Sequence, residues 1–142
     1  PQGLQLDLDS NQLGVQGAKL LAAALQSGQC PQGLQLKLCN NQLNVQGAEF
    51  FAAALQSGQC PQGLHIDLSD NPLSIQGVEF LATALQSGKC PQGLKLRVEN
   101  SEPLLKDAWR VYYRQFALRC FVLYQGQRQV QSPLSQLPHD IL

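Results

Sequence analysis

The sequence predicts an α/β array of repeated strand–helix units ending in a helical C-terminal cap. Three observations carry this expectation. The chain repeats every thirty residues: Pro31–Cys60 matches Pro1–Cys30 at 23 of 30 positions, and Pro61–Cys90 matches Pro31–Cys60 at 18 of 30. Within each copy, a run of alternating Leu and polar residues precedes a run with helical apolar spacing. A fourth copy starts at Pro91 and fades after about ten residues, where an amphipathic stretch takes over. A fixed period of this size means a stack in which each unit buries its apolar face against its neighbours.

The strand comes first in each unit. Leu4, Leu6 and Leu8 alternate with Gln5, Asp7 and Asp9, the period-two pattern of a strand with its Leu side buried and its polar side in solvent. Asn11, Asn41 and Asn71 recur at one position. Buried carboxamides must be hydrogen-bonded, so these three are expected to form a structural ladder binding the backbone of adjacent units.

The helix follows. Ala18, Leu21, Ala22 and Leu25 fall at i, i+3, i+4 and i+7, one face of a helix. Gly14, Asn44 and Ser74 stand at the N-cap position, which Asn and Ser suit. Gly28, Gly58 and Gly88 stand at the C′ position, with Pro31, Pro61 and Pro91 three residues later. The small Ala22 and Ala24 and their equivalents let neighbouring helices approach closely. Strands are expected to pair in parallel, and because helices are wider than strands the stack must curve with its strands inside.

The pattern L-x-L-x-x-N-x-L, read at Leu6, Leu8, Asn11 and Leu13, followed by G-A-x-x-L-A-x-A-L from Gly17 to Leu25, resembles a leucine-rich repeat. The long helical form is similar to the ribonuclease-inhibitor-like subfamily, and the phrase C-P-Q-G-L is similar to repeats of bacterial effector proteins. The resemblance covers residues 1–101, as three full repeats and a fourth strand, and leaves 102–142 as helical cap and tail. It implies a solenoid with parallel strands on the concave side and helices on the convex side. It also implies a concave face that recognises a protein partner without catalysis. One departure is that Gly3, Gly33, Gly63 and Gly93 stand where the family usually has Leu, with Leu4 and its equivalents one residue later. Ser101 and Pro103 replace the expected Asn and Leu, which fits an array ending.

The copies differ chiefly on two surfaces. The polar strand side carries Gln5, Asp7 and Asp9; then Gln35, Lys37 and Cys39; then His65, Asp67 and Ser69; then Lys95, Arg97 and Glu99. These are the candidate partner-binding residues, with Arg97 foremost because Arg is enriched at interface hot spots. The second surface is helical. Leu20, Phe50 and Phe80 share a position roughly 150° from the centre of the buried stripe. They form either a convex apolar interface or a set that folds down along neighbouring helices.

In the tail, Leu105, Ala108, Trp109, Tyr112, Phe116, Cys120 and Leu123 follow helical spacing. Ser101 can cap that helix, and Trp109 and Tyr112 are the expected plugs of the open core. Lys106, Arg110 and Arg114 share another face. The ending Leu137–Leu142, L-P-x-x-I-L, resembles the start of an F-box. That gives an alternative function: an adaptor whose repeats select a substrate while its end docks onto a ubiquitin ligase. The near-identity of the first two copies leaves a third, a structural or engineered array with no specific partner.

Composition narrows the classes further. The net charge is zero, with −3 on residues 1–90 and +3 on 91–142. A neutral chain without a basic stripe is not expected to bind nucleic acid, and its apolar runs are too short for a membrane span. Five Cys, none in a C-x-x-C pair, and only His65 and His139 argue against a metal site. No cofactor is expected, because the glycines punctuate repeats and form no phosphate-binding loop. Cys39 and His65 lie one repeat apart, but a Cys–His pair also needs an orienting group and an oxyanion site, and catalysis is not expected. Cys30, Cys60 and Cys90 are expected to stack as reduced, buried thiols, since in-register side chains run parallel. Free thiols point to a reducing compartment such as the cytoplasm, including that of a host cell if the effector-like resemblance holds. The chain lacks Met and starts at a repeat boundary, as expected of a piece of a longer protein. Its open first strand is expected to allow weak self-association.

Overall fold

In the computed structural model, which describes residues 3–98 and 105–115, each unit contributes one short strand and one helix. The strands are β1 (Gln5–Asp7), β2 (Gln35–Lys37), β3 (His65–Asp67) and β4 (Lys95–Arg97). They alternate with α1 (Gly14–Gln26), α2 (Val45–Gln56) and α3 (Ser74–Gln86), and α4 covers 105–115. The strands form one parallel sheet in chain order, each residue paired with its counterpart one period away: Leu6 with Leu36, Leu36 with Ile66, Ile66 with Leu96. The helices contact one another in the same order, α1 with α2 and α2 with α3. The result is an α/β fold of alternating parallel strands and helices, compatible with a solenoid-like arrangement.

The core lies between the Leu side of the strands and the helices. Leu34, Leu36, Leu38, Leu64, Ile66 and Leu68 are buried with Phe51, Leu55, Leu81 and Leu85. The first unit departs from the expected pattern. Leu4 and Leu6 are 36% and 37% exposed, because β1 is a sheet edge and no earlier unit covers its flank.

The departure at Gly3, Gly33, Gly63 and Gly93 has a physical basis. Gly33 and Gly63 have φ of +74° and +71°, a region that a Cβ disfavours. The backbones also stack closely there: a Cβ on Gly63 would lie 3.4 Å from Gly33 Cα. The Gly33 N–H donates to Gln62 O of the next unit at 2.8 Å.

The asparagines bind successive units. Asn41 Oδ1 accepts the Asn11 N–H at 2.9 Å, and Asn41 Nδ2 donates to Leu8 O at 2.8 Å. Asn71 repeats both contacts one unit on, accepting from Asn41 N at 2.9 Å and donating to Leu38 O at 2.9 Å. Asn41 is fully buried and Asn71 half-buried, while Asn11 is exposed at the open end, its amide donating only to Asp9 O. The Leu13 and Leu43 N–H groups donate to the Asn carboxamide of the following unit. The equivalent Leu73 N–H instead donates to Asn71 O at 2.8 Å, across Pro72. Position 101 offers Ser in place of Asn, and the Pro72 turn satisfies this group within its own unit.

Only one of the three expected N-caps is found. The Asn44 side chain accepts from Gln46 N and Gly47 N, whereas Gly14 and Ser74 are the first residues of their helices, at φ +59° and +60°. A residue in that conformation continues the turn from Leu13 or Leu73, whose carbonyl accepts from Gly17 or Gly77. The C-termini are uniform: Ser27, Ser57 and Ser87 fold their hydroxyls onto Ala24, Ala54 and Ala84 carbonyls, and glycine with positive φ follows.

Helix α4 lies thirty residues after the corresponding part of α3. Ala108 is fully buried like Ala18 and Ala48, which occupy the same position in the period. The helical phase of the repeat thus persists where its sequence does not. Leu105 and Tyr112 are also buried. The Tyr112 hydroxyl donates to Pro91 O at 2.6 Å and accepts from Leu94 N at 3.1 Å, tying α4 to the turn before β4. Trp109 is half-buried, edge-on to Tyr112 and stacked on Tyr113. The expected contributions of Ser101, Phe116, Cys120 and Leu123, and the F-box-like ending, fall outside the described residues.

Candidate functional site

The parallel register assembles the polar strand side chains into rows across the sheet. One row runs Gln5, Gln35, His65, Lys95; the next runs Asp7, Lys37, Asp67, Arg97. Charge alternates along the second row. Lys37 Nζ lies 3.4 Å from Asp7 Oδ2, and Arg97 lies 3.8 Å from Asp67 Oδ2. Exposed pairs of this kind add little stability; here they orient the charges.

A third row follows the strands. Asp9 Oδ1 accepts the Cys39 N–H at 2.8 Å. Ser69 was expected to face solvent, but it is 4% exposed, and both its N–H and its hydroxyl donate to Asp67 Oδ1. It shapes the Asp67 carboxylate and offers no contact surface itself. Glu99 lies outside the described residues. Asp70 was not singled out from the sequence, yet it accepts the Cys39 thiol at 3.1 Å. The available signal was its position, shared with the turn formers Ser10 and Asn40, all three at positive φ.

Cys39 has the electrostatics of an inert thiol. The hydrogen bond to Asp70, aided by burial and by the nearby Asp9 and Asp67 charges, pushes its pKa up to about 11. A nucleophilic cysteine needs the opposite shift. Cys30, Cys60 and Cys90 each donate to a helix carbonyl, Ala24, Ala54 or Ala84. Only Cys90 is buried; Cys30 and Cys60 are half-buried. Burial pushes Cys60 up to about 11 and Cys90 up to about 12.

The helical position is split. Leu20 is 64% exposed, while Phe50 and Phe80 are half-buried and pack against the core. The two Phe side chains are thus partly withdrawn into the core while Leu20 stays in solvent, so the three do not form a continuous exposed stripe. Lys106, Arg110 and Arg114 are exposed on α4, with Arg110 3.2 Å from Asp107.

Among the described residues, no group of three His, Cys, Asp or Glu side chains could hold a metal ion. No described helix is long and apolar enough to cross a membrane. No family model matches the chain, and no curated protein matches it.

Proposed function

We infer that the chain is a leucine-rich-repeat solenoid of the ribonuclease-inhibitor-like kind, and that it binds a protein partner through a concave strand face without catalysis. One observation carries this reading. Every polar position of the strand side varies among the units, and the parallel register gathers these varying side chains in rows on one surface, from Asp7 to Arg97. Packing alone does not distinguish that face from the exposed helix face. The raised Cys39 pKa weighs against a nucleophilic role for that thiol. The free, half-buried thiols suit a reducing compartment.

The experiment is capture of partners from a lysate of the source cell by the wild type and by two variants. Asp67→Lys with Arg97→Glu reverses the face while allowing the ion pair to re-form. Glu49→Lys places a reversal on an exposed helix position. The first variant is expected to lose the captured protein and the second to retain it. Retention by both would overturn the reading.

A further inference from the structure

The sheet face has a sign at each edge. On the β1 side stand Asp7 and Asp9, and on β4 stand Lys95 and Arg97. The ion pairs run inward from each edge, Asp7 to Lys37 and Arg97 to Asp67, and Lys37 and Asp67 together add no net charge. Both edges remain accessible: the Asp7 side chain is 58% exposed beside Lys37, and that of Arg97 is 70% exposed with Asp67 no closer than 3.8 Å. Lys95 is exposed and has no ion pair among the described residues.

The separation of the edges has a natural match. Adjacent strands lie about 4.8 Å apart, so three intervals span roughly 14 Å. An extended chain rises about 3.4 Å per residue, so side chains at i and i+4 share a face and also stand roughly 14 Å apart. The strands are three residues long, which limits the patch to about 150 Å² in plan. A stable protein dimer needs about 800 Å² per partner, so a second copy seated on this patch alone is disfavoured.

We propose that, if the face is the recognition surface inferred above, its ligand is an extended segment with a cationic and an anionic side chain four residues apart. The segment lies across the strands, its cation over Asp7 and Asp9 and its anion over Lys95 and Arg97. Lys37 and Asp67, each paired with its edge neighbour Asp7 or Arg97, add no net charge between the edges, so a segment of single sign meets repulsion at one of them.

The test uses the whole chain and heptapeptides with blocked termini in a Thr/Val background, followed by backbone amide shifts at low ionic strength. One set carries Lys and Glu at i and i+4 in both orders; the others carry them at i and i+2, or two like charges at i and i+4. The opposite-sign i, i+4 peptide is expected to bind roughly 3- to 10-fold more tightly than the others, moving amides of all four strands. Asp7→Asn with Arg97→Gln should remove that preference. Equal binding of a like-sign or i, i+2 peptide, or no binding by any, would overturn the proposal. So would a concentration-dependent dimer abolished by the same variant, which would make a second copy the occupant. Each of these outcomes is separable from failure of the face itself, which the Asp67→Lys, Arg97→Glu capture decides.

Discussion

Asn71 accepts the Asn41 backbone N–H through Oδ1 at 2.9 Å and returns a bond from Nδ2 to Leu38 O at 2.9 Å. A single carboxamide thus closes the turns of two units at once. Asn71→Ala would orphan these groups together with the Leu43 N–H. It is expected to cost about 3 kcal/mol of unfolding free energy, read by urea denaturation. Asn11→Ala removes one local, exposed bond and is expected to change stability by less than about 0.5 kcal/mol. Equal costs would show that the ladder is not the shared fastening.

Backbone sign gives two opposite expectations. Ser74 holds φ +60° where the first copy has Gly14 at +59°. Ser74→Gly is expected to stabilise the chain by about 0.5–1 kcal/mol. Gly63→Ala meets a positive φ of +71°, and is expected to destabilise by about 1–2 kcal/mol. Thermal melts of the two variants shifting the same way would contradict this.

Tyr112→Phe keeps the ring and removes the hydroxyl that joins Pro91 O and Leu94 N. The expected loss is about 2 kcal/mol. Faster hydrogen exchange at the Leu94 amide should accompany it, while exchange at Gln35 stays unchanged.

Alkali should weaken the fold. Burial holds Cys60 up at about 11, Cys90 up at about 12 and Tyr112 up at about 12, from ordinary values of 9.0 and 10.0. Between the unfolded and folded values the native state keeps protons that the unfolded chain releases, so stability falls as pH rises. The decline is expected to begin near pH 9 and continue towards 12. Cys90→Ala should make it shallower. A pH-independent unfolding free energy over that range would contradict the burial of these groups.

The strand–helix alternation was legible because Leu and polar residues alternate at period two and Ala and Leu recur at helical spacing. Both signals repeat in each copy. The asparagine role was legible for the same reason: one polar residue at a fixed point among aliphatic ones needs partners. The misses are end effects and backbone effects. Leu6 reads like Leu36, and only the absence of a covering unit separates them. Ser74 reads as a cap, but its cost is visible only in φ. Ser69 alternates outward in the pattern, yet Asp67 draws it in. The phase of α4 was hidden because tertiary position kept the thirty-residue step after the residues themselves had changed. On the candidate face, composition was readable in advance. The pairing of Cys39 with Asp70 depends on a turn conformation that no local pattern announces.

The most direct measurement is site-specific photocrosslinking in a lysate of the source cell. A photoreactive residue is placed at Lys37 in the middle of the sheet face, and in a separate protein at Glu49 on the exposed helix side. The account predicts a discrete partner adduct from position 37 and none from position 49. An adduct from position 49 with none from position 37 would contradict it.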